Sequence, residues 1–154
     1  MGKQRILTST AVRLGLLALM IIVAGIGVDS ALQAQQGYVV IVNGANSVDS
    51  LTKEDISRYL LKKKMRWDDG TPVEPVDLDP SSPVREALTR DVHGRSVSSI
   101  KNYWQRQIFS GSNTPPAELS ESEVVAYVRS NPGAIGYVSA SANLSGGVKR
   151  ATVQ

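Results

Sequence analysis

Apolar residues recur along this chain with two different periods. Tyr38-Val39-Val40-Ile41-Val42 is an unbroken β-branched and aromatic run that stops at the turn signal Asn43-Gly44. Such a run predicts a strand over 38–43 covered on both faces. The next stretch switches to helical spacing. Thr52 stands as N-cap before Lys53-Glu54-Asp55, Ile56, Tyr59 and Leu60 share one face, and Lys62-Lys63-Lys64 close the helix at its negative dipole end. Asp68-Asp69-Gly70 reads as a turn and Val73 to Leu78 as a second strand. Pro75 lacks a backbone donor, which makes that strand short or places it at a sheet edge. Ser82 as N-cap and Pro83 at N1 open a helix with the stripe Val84, Ala87, Leu88 and Val92, ended by His93-Gly94. Ser96 opens another, with Ile100, Tyr103, Trp104 and Ile108 on one face. A polar loop from Gly111 to Pro116 leads to the capping box Ser120-Glu121-Ser122-Glu123 and a short helix carrying Val124, Val125 and Val128. After Asn131-Pro132-Gly133, the run Ala134-Ile135-Gly136-Tyr137-Val138 predicts a third strand. Beyond Ser139 the chain is rich in Ser, Gly and Ala, and Val148 to Val153 reads as an edge strand or a loose tail.

Strands separated by helices, in the order β-α-β-α-α-α-β, imply the α/β class: a single mostly parallel (mixed) sheet flanked by helices, with right-handed crossovers. The first segment stands apart from this pattern. Lys3, Arg5 and Arg13 precede an apolar run from Leu14 to Val28, followed by the small residues Ser30, Ala31 and Ala34. A positive start, a short apolar run and a small-residue exit are the parts of a secretory signal. The run is shorter than the ~20 apolar residues that span a bilayer. Residues 1–34 are therefore expected to be a leader cleaved after Ala34, with Val28-Asp29-Ser30 as the other exit and an N-terminal anchor as the alternative. Residues 35–154 form one domain.

The leader also changes the charge picture. Seventeen basic residues stand against fourteen acidic ones in the whole chain. Setting aside Lys3, Arg5, Arg13 and Asp29 leaves fourteen against thirteen, a net charge of +1 for the mature domain. A near-neutral domain gives no electrostatic basis for nucleic-acid binding, and the Lys62 to Trp67 segment reads as a solvated helix end. The chain has no cysteine and a single histidine, His93. That excludes disulfides, thiol chemistry and Cys-based zinc sites, and it implies no cofactor. There is no Gly-x-Ser-x-Gly elbow to make a hydrolase of His93 with Ser81 or Ser82, so His93 reads as a helix-end residue. Asp77, Asp79 and Asp91 match no cation-binding loop. Trp67 and Trp104 read as core residues.

Several segments then carry a resemblance. Leu51-Thr52-Lys53-Glu54-Asp55, Arg66-Trp67-Asp68-Asp69-Gly70, Ser81-Ser82 at a strand-to-helix turn, and Asn131-Pro132-Gly133-Ala134-Ile135-Gly136-Tyr137-Val138 follow Asn43 in this order. Together, over roughly residues 38–139, they resemble the second lobe of the phosphate-binding protein of the ABC phosphate transporter, which has a type II periplasmic-binding-protein-like fold. The resemblance implies a single-lobe form of that fold. The family grips phosphate at a strand-to-helix turn with the pattern Arg-x-Asp-Gly-Ser-Gly-Thr. The stretch here is Asp77-Leu78-Asp79-Pro80-Ser81-Ser82-Pro83. Asp79 and Ser81 match; Pro80 and Ser82 replace the glycines, Pro83 the threonine, and Asp77 the arginine. Arg85, one turn into the helix, restores a positive charge without occupying the arginine's position.

The candidate oxyanion ligands are accordingly Ser81, Ser82, Arg85 and Asp79. Unpaired N–H groups at a helix N-terminus, hydroxyl donors and a forked guanidinium are what an oxyanion requires. Asn43 joins them as a residue ending a strand at the expected carboxyl edge of the sheet, where α/β folds bind ligands. Arginine restored at position 77 is expected to strengthen the site. The resulting expectation is an exported, non-catalytic protein that binds an inorganic oxyanion, most simply phosphate, for a membrane transporter or sensor. The alternative is a ligand-free structural or protein-interaction module of an envelope complex.

Overall fold

The computed structural model describes residues 37–144 and 146–154, and the leader expected over 1–34 lies outside them. Its elements are β1 (Tyr38–Asn43), β2 (Ser50–Leu51), α1 (Lys53–Leu60), β3 (Glu74–Leu78), α2 (Pro83–His93), α3 (Val97–Phe109), β4 (Ala117–Leu119), α4 (Glu121–Ser130), β5 (Ala134–Ser139) and β6 (Val148–Val153). The six strands form one sheet in the order β2-β6-β1-β5-β3-β4. The class is α/β, as the periodicity predicts. Among the described residues no helix is long and apolar enough to cross a membrane.

The sheet is mixed, and its departure from parallel lies in β1. β3 pairs parallel with β4 and β5, and β2 with β6, but β1 runs antiparallel to both β5 and β6. Every residue of β1 is buried, because strands flank it on both sides and α2 and α4 pack on it. The C-terminal segment is neither a loose tail nor an edge: β6 lies inside the sheet between β2 and β1. β5 and β6 both run antiparallel to β1, so the chain must return the length of β1 between the end of one and the start of the other. Two short edge strands, β2 and β4, have too few residues to show any periodicity in the sequence.

Pro75 finds a different accommodation from the one expected. β3 is an interior strand, yet β4 begins opposite Val76, so Pro75 has a strand neighbour only in β5. The missing N–H therefore costs no ladder bond on the β4 side.

All four helices start at the predicted caps. Thr52, Ser82, Ser96 and Ser120 each accept a backbone N–H three residues on, and Ser120 with Glu123 completes the capping box. Gly94 closes α2 in the left-handed conformation at φ 61, a region that costs glycine nothing. The lysines do not close α1, which ends at Leu60. Lys62 takes φ 52, Lys63 lies over the Tyr103 ring, and Lys64 pairs with Asp55 and Asp68.

One main core holds β1, β3 and β5 against α1, α2 and α4, with Ile41, Ile56, Leu88, Val124 and Ile135 nearly inaccessible. Gly136 is what lets α4 approach β5: a Cβ there would lie 2.7 Å from Val124 Cγ1 and 3.0 Å from Val76 Cγ2. Trp67 stacks at a tilt on Tyr59 and donates its indole N–H to the Gly133 carbonyl at 3.0 Å. α3 is the outlier. It packs on α2, and its Ile100 and Trp104 form a separate small cluster with Leu61. Because α3 does not lie on the sheet, its expected stripe is only half covered, and Ile108 is exposed.

Candidate functional site

β3 delivers the chain to the turn Asp79-Pro80-Ser81-Ser82, and α2 leaves from it. Asp79 Oδ1 accepts from the Ser81 N–H at 2.8 Å and from Ser81 Oγ at 2.5 Å, an Asx-type turn. These hydrogen bonds hold the Asp79 carboxyl below the ordinary carboxylate range. The Ser81 hydroxyl proton is thereby committed to Asp79. Ser82 Oγ accepts the Arg85 N–H at 3.4 Å, so its own proton remains available to a ligand. Asp79, Ser81 and Ser82 thus sit together as expected, with Asp79 shaping the turn.

Arg85 is neither solvated nor free. It is 4% exposed. Its Nη2 lies 2.9 Å from Asp77 Oδ2, and its Nη1 donates to the Leu78 carbonyl at 2.5 Å and to Glu118 Oε1 at 2.8 Å. Asp77 also accepts the Tyr137 hydroxyl and the Leu78 N–H. Burial raises the Asp77 carboxyl, against the pull of Arg85 and of these two donors. The same burial, with Asp77 alongside, pushes the Tyr137 phenol far above its usual value. Two carboxylates therefore neutralise Arg85 and leave the cluster net negative. The expectation that arginine at 77 would build a better site fails on this geometry. A second guanidinium there would face Arg85 in a buried pocket.

Asn43 lies at the other end of the sheet. Val42 and Pro75 are both in register with Ile135, so the C-terminal end of antiparallel β1 meets the N-terminal end of β3. The turn at Ser81 follows the opposite end. Asn43 is buried, and its Nδ2 donates to the Val128 and Arg129 carbonyls while its Oδ1 accepts the Ala45 N–H. It ties β1 to the end of α4. His93 meets neither Ser81 nor Ser82: its Nδ1 is 2.8 Å from Ser57 Oγ, bridging α2 to α1. Asp91 pairs with Lys53 and Tyr38, away from Asp77 and Asp79 in its partners.

Beside the turn the structure opens a cleft of about 570 Å³. Pro80, Ser81 and Ser82 form one wall; Arg95, Ser96 and Ser98, at the start of α3, form the other. Arg90 and Glu86 also line it and pair with each other at 2.5 Å, whereas Arg95 has no ion-pair partner among the described residues. The cleft therefore combines the N-terminal turns of two helices, hydroxyl donors and an uncompensated guanidinium. Sequence reasoning found Ser96 only as a cap and missed Arg95, which stands next to it. It also missed Glu118, because nothing local connects that residue to Arg85.

The mixed sheet carries helices, and the polar cleft opens beyond the carboxyl end of β3, as in one lobe of the type II periplasmic-binding-protein-like fold. Solved structures of phosphate-transport receptors have this fold. The chain superposes on an ABC-type phosphate transport receptor from Vibrio cholerae with TM-score 0.59 and 19% identity, covering 76% of this chain and 46% of that one. A structure with bound phosphate from Clostridium perfringens, named for a phosphate ABC transporter, gives TM-score 0.58 and 20% identity over 76% and 44%. PstS from Borrelia burgdorferi gives 0.53 and 17% over 80% and 53%. The chain thus spans about half the length of the proteins it superposes on, a single lobe. No family model matches the sequence, and no curated protein sequence does.

Proposed function

We propose that this chain is an exported, periplasmic solute-binding-type module that takes an inorganic oxyanion, most simply phosphate, in the cleft between α2 and α3. The observation that carries the reading is the convergence of two helix N-terminal turns, the free Ser82 hydroxyl and Arg95 on one cleft. Unpaired N–H groups and a guanidinium favour an anion there. The solved structures of this fold include a phosphate-bound one. Ser81 and Asp79 shape the rim. Arg85 contributes through the turn it braces, since its charge is already met. Affinity is modest, because Glu86 lines the same cleft and Pro83 removes one N–H donor. The module holds its ligand for a membrane transporter or sensor and performs no chemistry on it.

Isothermal titration with phosphate and with sulfate tests this. Arg95→Ala and Ser82→Asp should each abolish the heat of binding; aspartate keeps α2 capped and puts a carboxylate at the cleft wall. A second reading, an interaction module of an envelope complex, is favoured by Phe109, which is 90% exposed at the end of α3. If neither anion binds at millimolar concentration, that reading replaces the first.

A further inference from the structure

On the other side of Pro80, α3 and the segment around β4 enclose a second groove of about 520 Å³. Trp104, Ile108 and Pro115 supply apolar lining, and Arg85, Lys101 and Glu118 are its charged residues. None of these charged residues lines the serine cleft. Arg85 already grips a carboxylate in this groove, that of Glu118 at 2.8 Å. The two carboxylates on Arg85 are held very differently. Asp77 is 14% exposed and has Tyr137 and the Leu78 N–H as further partners. Glu118 is 47% exposed, has Arg85 as its one side-chain partner among the described residues, and sits on a three-residue strand at the edge of the sheet. Lys101 has no ion-pair partner among the described residues, and no acidic residue occurs from Val92 to Ala117.

We propose that this groove binds a carboxylate carried on an apolar group. The ligand's carboxylate replaces Glu118 on Nη1 of Arg85 and pairs with Lys101, and its apolar part covers Trp104, Ile108 and Pro115. Glu118 then turns to solvent, so the guanidinium exchanges one carboxylate for another and never stands unpaired in the interior. Glu118 is a tethered competitor that sets the affinity. Pockets of this volume with mostly apolar walls and a few placed polar groups suit small organic ligands. A free aryl-substituted acid and the C-terminal residue of a polypeptide offer the same chemistry.

Titration calorimetry with 3-phenylpropionate, on the protein as recovered from expressing cells, tests the site. The wild type should bind weakly, and Glu118→Ala and Glu118→Gln roughly tenfold more tightly, the gain from removing one charge-assisted competitor. Glu118→Gln keeps the shape of β4 if alanine disturbs it. Adding Lys101→Ala should reverse most of the gain, and 3-phenylpropanol, which has no charge, should not bind. An N-acetylated dipeptide ending in phenylalanine separates the sources. Tighter binding than phenylpropionate, lost in the C-terminal amide, assigns a chain terminus; weaker binding assigns a free acid. The proposal is overturned if the Glu118 variants bind no tighter than wild type, if the alcohol binds as well as the acid, or if Lys101→Ala has no effect. Phosphate titrated into the same proteins reads the serine cleft separately, so either site can fail alone.

Discussion

Replacing Asp77 by alanine should break a heavily buried ion pair, with the side chains of Arg85 5% and Asp77 14% exposed. The loss falls on three groups at once. Arg85, 4% exposed, keeps only Glu118 and the Leu78 carbonyl, while the Tyr137 hydroxyl and the Leu78 N–H lose their shared acceptor. Stranding a buried charge by removing its partner costs about 3–5 kcal/mol, and each buried donor left without an acceptor costs about 1–3 kcal/mol. Because Glu118 still compensates Arg85, a total of about 3–5 kcal/mol is expected. That is a large share of the ~5–15 kcal/mol that holds a domain together. In urea unfolding followed by circular dichroism, the midpoint should fall by roughly 2 M for a slope near 2 kcal/mol per molar. Asp77→Asn keeps acceptors for Tyr137 and Leu78 and should cost less, isolating the charge. The double variant Asp77→Ala with Arg85→Met should recover most of the stability, because it leaves no unpaired buried charge. An Asp77→Ala protein within ~1 kcal/mol of wild type, or a double variant no more stable than the single one, would refute this reasoning.

Three further outcomes test the rest of the structure. Burial, with Arg95, Arg85 and Lys63 nearby, pushes His93 down from 6.5 to about 4; the unfolded chain therefore takes the proton first, so stability is full above pH ~6.5 and declines by about 3 kcal/mol as the pH falls through the window to ~4. Urea midpoints measured across that range should show the decline in wild type and not in His93→Gln, and parallel curves would contradict the assignment. Gly136→Ala should destabilise by about 1–3 kcal/mol through overpacking against Val124 and Val76, and a thermal melt equal to wild type would show that α4 yields freely. Leu88, 1% exposed in the main core, should cost about 2–5 kcal/mol on replacement by alanine; a change within error in chemical unfolding would mean that α2 turns another face to the sheet.

Local chemistry was legible from the sequence wherever it acts between neighbours. The four N-caps, the capping box at Ser120 and the Gly94 stop are decided within one turn of chain, so residue type and spacing are enough to place them. The buried strands β1 and β5 and the α/β class follow from unbroken apolar runs separated by helical ones. What those runs do not encode is direction. Nothing in Tyr38–Asn43 says that it lies antiparallel between β5 and β6, and that reversal moves Asn43 to the far end of the sheet from Ser81. Nor does Val148–Val153 reveal that it will be an interior strand, because its neighbours come from positions about a hundred residues earlier. Arg85 makes the same point about charge. Its sequence neighbours suggest an arginine available to an anion, but the fold buries it between Asp77 on β3 and Glu118 on β4. Which charges cancel depends on which strands pair, and strand pairing is a property of the whole chain collapsing on one core, so only the tertiary structure could decide it.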